Sequence, residues 1–155
     1  MELEQPSSTF PPLPTAPAAA QKNTPEGAEE FAKHFLDILQ YGYRYSDPLP
    51  MRSVALPGCR FCSSTAEEMR QQKEKGQKLV GGDIKVRAVL ARADGPKDRV
   101  VIDGSFEETA SKLVDAQGRT VTEYSASDAE FLTIALKWDA VAGWKVLGAS
   151  IKETK

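Results

Sequence analysis

The spacing of apolar positions changes once along this chain, from helical to alternating. Ala28, Phe31, Ala32, Phe35, Leu36, Leu39 and Tyr43 recur at helical intervals and put an aromatic-rich stripe on one helix face. Thr24 suits the N-cap, Pro25 the first turn, and Glu26, Glu29 and Glu30 complement the positive end of the helix dipole. The pattern predicts a long helix over 24–44, its stripe buried, ended by Ser46-Asp47-Pro48. Residues 47–61 contain Pro48, Pro50, Pro57 and Gly58, which predict loops with one short helical turn over 53–56. Ser64-Thr65-Ala66-Glu67 has the form of a capping box and predicts a second helix over 64–75, closed by Gly76. Met69 is its main apolar residue, so most of this helix faces solvent.

Beyond Gly81-Gly82 the period becomes two. Strands are expected over 84–92 and 99–106. Segments 111–114 and 119–124 flank Asp115-Ala116-Gln117-Gly118, a hairpin turn with glycine where a positive φ is wanted. Residues 131–138 alternate cleanly, and a last strand over 144–151 follows a short loop. Connections this short call for antiparallel pairing. Helices first and a meandering sheet afterwards define an α+β domain, with the first helix packed on one sheet face.

Composition adds a second region. Six of the ten prolines lie between Pro6 and Pro25, among Ser, Thr and Ala. Proline fixes φ and lacks a backbone donor, so residues 1–23 are expected as a disordered, extended tether ahead of a single domain over 24–155. Pro11-Pro12-Leu13-Pro14 would alternatively serve as a ligand for a proline-recognition domain. The 20 basic and 22 acidic residues leave a net charge of −2, which calls for neither nucleic acid nor an anionic membrane surface. No apolar run reaches the roughly 18 residues of a membrane helix, and the acidic start Met1-Glu2-Leu3-Glu4 has no apolar run behind it such as a signal peptide carries.

Only Cys59-Arg60-Phe61-Cys62 looks chemically equipped. A redox pair would need its first cysteine exposed at a helix N-terminus. A zinc site would need four ligands, and the chain offers two cysteines and one histidine, so no metal or cofactor is expected. The preferred reading is a local structural disulfide between Cys59 and Cys62, as an even cysteine count suits an oxidising compartment; inert thiols are the remaining alternative. His34, on the flank of the stripe beside Lys33, reads as a surface residue. Gly81-Gly82-Asp83 has a helix before it and a strand after it, the reverse of a phosphate loop, so it is a turn. Glu107-Glu108 and Asp128 to Glu130 read as solvated strand ends.

The order of helices and sheet, closing in Trp138-Asp139 and Gly143-Trp144, resembles the nuclear transport factor 2-like fold of the cystatin-like group. More narrowly, the chain resembles a family of uncharacterised actinobacterial lipoproteins, domain of unknown function 6318. The matching pieces are the Pro/Ala-rich lead-in, Pro25-Glu26-Gly27-Ala28, Tyr45-Ser46-Asp47, Pro57-Gly58-Cys59-Arg60-Phe61-Cys62 and Gly76 with Val80-Gly81-Gly82. The resemblance implies export and lipid anchoring through a cysteine upstream of the tether, which this sequence does not contain. It implies a cone between the long helix and a curved sheet, for which Phe35, Leu39, Tyr43 and Trp138 are the candidate lining. It brings no activity. The expected function is therefore non-enzymatic: an extracytoplasmic domain binding an envelope partner or a small apolar ligand, with a homodimer through a sheet face allowed by the fold. The alternatives are a small-molecule enzyme using the cone, and a thiol redox protein using Cys59 and Cys62.

Overall fold

The computed structural model describes residues 13–153. Helix α1 spans Pro25–Tyr45, α2 Leu49–Val54 and α3 Arg60–Glu74. The strands are β1 Lys78–Gly81, β2 Ile84–Ala91, β3 Val100–Glu108, β4 Ser111–Val114, β5 Thr120–Tyr124, β6 Ser127–Asp139 and β7 Gly143–Glu153. This is the expected α+β arrangement of helices followed by an antiparallel sheet.

Local chemistry sets the helix ends. The Gly27 N–H donates to Thr24 Oγ1 at 2.9 Å, closing the start of α1. Ser46 ends it in the left-handed region at φ 53°, its own N–H bonded to the Gly42 carbonyl. Helix α3 starts at Arg60, four residues before the capping box that the sequence suggested. Cys59 takes the N-cap instead, its Sγ accepting the Cys62 N–H at 3.2 Å, and the Cys59–Cys62 disulfide clasps that first turn. Thr65, one turn in, donates back to the Phe61 carbonyl at 2.9 Å, a bond available only inside a helix. The short helix also lies earlier than expected, because Pro50 fits its first turn, while Ala55 is extended and pairs with Val146.

The four-stranded sheet has the order β2-β3-β6-β7, and β1-β4-β5 form a second sheet. Strand β1 was not anticipated, and the simple meander is broken: β3 pairs with β6, and the β4–β5 hairpin leaves the plane. The cause sits at Gly81 and Gly82, with φ of 83° and 71°. A Cβ on Gly81 would come within 2.5 Å of the Ala110 carbonyl oxygen, so only glycine lets the β2–β3 ladder kink here and continue as β1–β4. Register shifts at Val86/Ala88, Phe106/Glu108 and Ala135/Leu136 curve the larger sheet toward α1.

The core lies between α1 and that curved face. Phe35, Leu36, Ile102, Phe106, Leu132, Ile134, Leu136 and Val146 are all fully buried there. Both edges of the four-stranded sheet are covered. On β2, the Ile84 N–H donates to Gln40 Oε1 at 2.7 Å and the Ala91 N–H to Glu29 Oε2 at 2.8 Å, both from α1. On β7, the Leu56 N–H donates to the Val146 carbonyl at 2.9 Å.

The N-terminal segment departs from the expected tether. Residues 1–12 lie outside the described residues, as does the first half of the proline motif at 11–14. From Ala16 on, however, the chain packs on the domain. Ala18–Gln21 form a turn of 3-10 helix with Ala20 buried, and the Trp144 indole N–H donates to the Lys22 carbonyl at 3.0 Å. Three consecutive alanines without proline permit this turn. Gly27 permits its close approach, since a Cβ there would lie 2.1 Å from the Lys22 carbonyl oxygen. His34 stands seven residues from Gly27, on the same helix face, and is buried rather than exposed as expected; its ring meets Phe31 edge-on at 5.6 Å.

Candidate functional site

The open end of the fold lies where α1 reaches its last turns. There α1 contributes Leu39, Gln40 and Tyr43, and α3 contributes Phe61, Ser64, Thr65 and Glu68. Facing them are Leu79, Ile84, Phe106, Glu108, Glu130 and Ile151 from the sheets. Between these walls is a cleft of about 390 Å³. Its shape follows from two features of the sequence. The kink at Gly81-Gly82 lifts Leu79 over the mouth. Met69 seats α3 against α1 at Gly42, where a Cβ would fall 2.4 Å from the Met69 sulfur.

The cleft is apolar toward the core and acidic toward the mouth. Glu130 is the exception, a carboxyl on an inward position of β6 that is only 6% exposed. Glu68 is held at the mouth by a short hydrogen bond from the Tyr43 hydroxyl. Burial first, and that bond second, push the Tyr43 phenol well above the usual tyrosine range. Tyr43, Glu68, Leu79 and Glu108 also border a second, wetter cleft of about 470 Å³ between α3 and the β4–β5 hairpin. The two are therefore one groove, with Gln72, Lys75 and Tyr124 along its outer part.

Of the four residues proposed as lining, Leu39 and Tyr43 border the cleft and Phe35 and Trp138 do not. Phe35 is sealed in the core, its ring 6.0 Å from that of Phe61. Trp138 sits beyond the other end of the core, packed edge-on to Trp144 at 5.2 Å. Helical periodicity puts Phe35 and Tyr43 on one face but cannot tell which end of the helix stays uncovered. Glu130 had been assigned to a solvated strand end. It occupies the same alternation as Leu132, Ile134 and Leu136, and that register points it inward. The remaining lining residues come from α3, β1, β3 and β7, and their convergence is long-range.

Cys59 and Cys62 lie outside this cleft, bonded to each other and each 1% exposed. The pair does stand at a helix N-terminus, as a redox pair would. Burial, however, withholds both sulfurs from an attacking thiolate. Among the described residues no three His, Cys, Asp or Glu side chains converge as a metal site, and no helix is long and apolar enough to cross a membrane.

A long helix laid over a strongly curved antiparallel sheet, with a cleft at its open end, is the nuclear transport factor 2-like class of fold. The chain is similar in structure to the intermembrane space region of the chloroplast protein ARC6, with 15% identity and a TM-score of 0.58 over 86% of this chain and 99% of that one. It is also similar to a nuclear transport factor 2-like superfamily protein of Salmonella enterica serovar Typhimurium, with 12% identity and a TM-score of 0.54 over 85% of this chain and 94% of that one. These identities speak for the fold alone. No curated protein matches the sequence. The family model "Family of unknown function (DUF6318)" matches residues 4–150, and the chain belongs to that family.

Proposed function

We propose that this chain is a non-enzymatic, extracytoplasmic domain that holds a small, largely apolar ligand in the cleft between α1, α3 and the curved sheet. The observation that carries this reading is the cleft itself. It is a concave space of about 390 Å³ whose inner walls are Leu39, Phe61, Ile84, Phe106 and Ile151, with a few polar groups at fixed places. That is the usual make-up of a small-molecule site. The buried disulfide supports an oxidising compartment. Lipid anchoring upstream of the proline-rich segment, an actinobacterial source and pairing of two copies belong to the same proposed setting and follow the family resemblance.

The test uses a neutral fluorescent probe, N-phenyl-1-naphthylamine. Saturable binding is expected, and Ser64→Trp should abolish it, because Ser64 lines the cleft from an exposed position and tryptophan there fills the space without touching the core. Equal binding by Ser64→Trp, or none by the native chain, would remove the reading. Labelling of intact cells with a membrane-impermeant amine reagent tests the compartment; protection equal to that of a cytoplasmic control would contradict it.

One observation favours the enzymatic alternative: Glu130 is a buried carboxyl on the cleft wall, the group that acid–base chemistry on an apolar substrate requires. Turnover that Glu130→Gln abolishes, with probe binding retained, would establish it over the binding reading.

A further inference from the structure

We infer that the Cys59–Cys62 disulfide builds one wall of the cleft by holding Phe61 in place. This deepens the ligand-binding reading above, rests on it, and makes the site depend on the oxidised chain. Helix α3 faces the cleft through Phe61, Ser64, Thr65 and Glu68. That helical spacing forms one stripe only while the helix runs unbroken from its first turn. Phe61 is the apolar member of the stripe, and it stands inside the span of the disulfide.

The first turn is held at its start by sulfur. Cys59 Sγ accepts the Cys62 N–H at 3.2 Å, the Cys59 carbonyl accepts the Ser63 N–H at 3.1 Å, and the disulfide ties the turn's two ends together. Just ahead, a Cβ on Gly58 would meet nothing within 4 Å, so the entering loop brings no packing at that point. The chain also carries a second place to begin this helix, the capping box Ser64-Thr65-Ala66-Glu67. In this fold the box is unmade, with Ser64 inside the helix and Glu67 paired to Arg70. Without the disulfide, Ser64 becomes the N-cap, the helix starts at Thr65, and Phe61 leaves the stripe. Its ring, now 6.0 Å from that of Phe35, then loses its fixed place on the cleft wall. A clasp that only stabilised the chain would raise the melting temperature and leave the cleft's affinity untouched.

The full chain is titrated with N-phenyl-1-naphthylamine as the native form, Cys59→Ala/Cys62→Ala, Phe61→Ala and the triple variant. The cysteine variant should bind about tenfold more weakly than the native chain. The triple variant should bind no more weakly than Phe61→Ala, because the disulfide acts through that ring. Asp139→Ala, altered away from the cleft, should bind as the native chain does. Amide hydrogen exchange reads the helix start without a ligand: in the cysteine variant residues 62–65 should lose protection while 69–74 keep it. Should a variant fail to fold, Phe61→Leu or Cys59→Val/Cys62→Val takes its place. Native-strength binding by the cysteine variant, or an equal loss with and without the Phe61 ring, would overturn the positioning role and leave the apolar-ligand reading standing. Absence of binding by the native chain would overturn that reading. Exchange would then decide the helix start, and unchanged protection at 62–65 would overturn it as well.

Discussion

Replacing Gly27 by alanine tests whether the N-terminal segment is part of the folded domain. Gly27 lies in the first turn of α1, and the added methyl would sit 2.1 Å from the Lys22 carbonyl oxygen, 3.0 Å from its carbon and 3.1 Å from the Ala19 oxygen. All three are backbone atoms, so no side chain can swing aside and the segment itself must move. Moving it breaks the bond from Trp144 Nε1 to the Lys22 carbonyl and uncovers Ala20. An unmade bond at a buried indole costs about 1–3 kcal/mol, and one uncovered methyl adds about 0.8 kcal/mol. Alanine returns at most about 1 kcal/mol through helix propensity, and less in a first turn. The net expectation is a loss of about 1–3 kcal/mol, or roughly 3–10 °C in melting temperature. Urea unfolding followed by tryptophan fluorescence reads the loss. Trypsin reads the cause, since the Lys22–Asn23 bond is held against the domain in the native chain and should be cut faster in Gly27→Ala. A variant stabilised by about 1 kcal/mol, with cleavage at Lys22 unchanged, would refute the reasoning.

The disulfide should resist a mild reductant in the native state and yield in denaturant, as intact mass would show; the double variant Cys59→Ser/Cys62→Ser should lose on the order of 2 kcal/mol, because so short a loop constrains the unfolded chain little. Burial lowers the pKa of His34 below 6.5, against the opposing pull of Asp37. The unfolded chain then binds a proton more readily than the folded one, so stability is complete above 6.5 and declines as pH falls through the window just below it; His34→Leu should flatten that decline in urea midpoints. Asp139 accepts the N–H groups of Val141 and Ala142, each at 2.8 Å, and these bonds lower its pKa. A carboxyl lowered by folding stabilises above its unfolded pKa and stops doing so as pH falls through its folded value. The melting difference between native chain and Asp139→Ala should therefore be full above 3.8 and shrink below it.

Much of the fold could be read from the sequence where one period runs unbroken. The stripe from Ala28 to Tyr43 gave α1 almost to the residue, and alternation gave six of the seven strands. Reading failed where a distant or covalent partner decides. The start of α3 depends on a thiol and a disulfide in place of a hydroxyl cap. Strand β1 is four residues long and owes its pairing to a kink whose constraint is the Ala110 carbonyl, 29 residues on from Gly81. His34 looked peripheral because it flanks the apolar stripe beside Lys33, yet it is buried with its ring against Phe31. For the cleft, Leu39 and Tyr43 followed from periodicity. Glu130 could have followed from the alternation of its own strand, had its charge not been taken as a sign of exposure. The contributions of Phe61, Leu79 and Phe106 required knowing which end of the core stays uncovered.

The covered edges of the larger sheet bear on how copies of this chain would meet. Gln40 and Glu29 occupy two donors of β2, and residue 56 donates to one carbonyl of β7, so both edges are interrupted as templates for a strand from another molecule. The β1-β4-β5 sheet is guarded differently. Strand β5, one of its two outer strands, is exposed along its whole length, with Val121 and Tyr124 each 50% accessible. At high concentration, strand addition between molecules would begin on that projecting arm. Amyloid-like pairing on β5 would thus start away from the core, and a lysine at Val121 should blunt it.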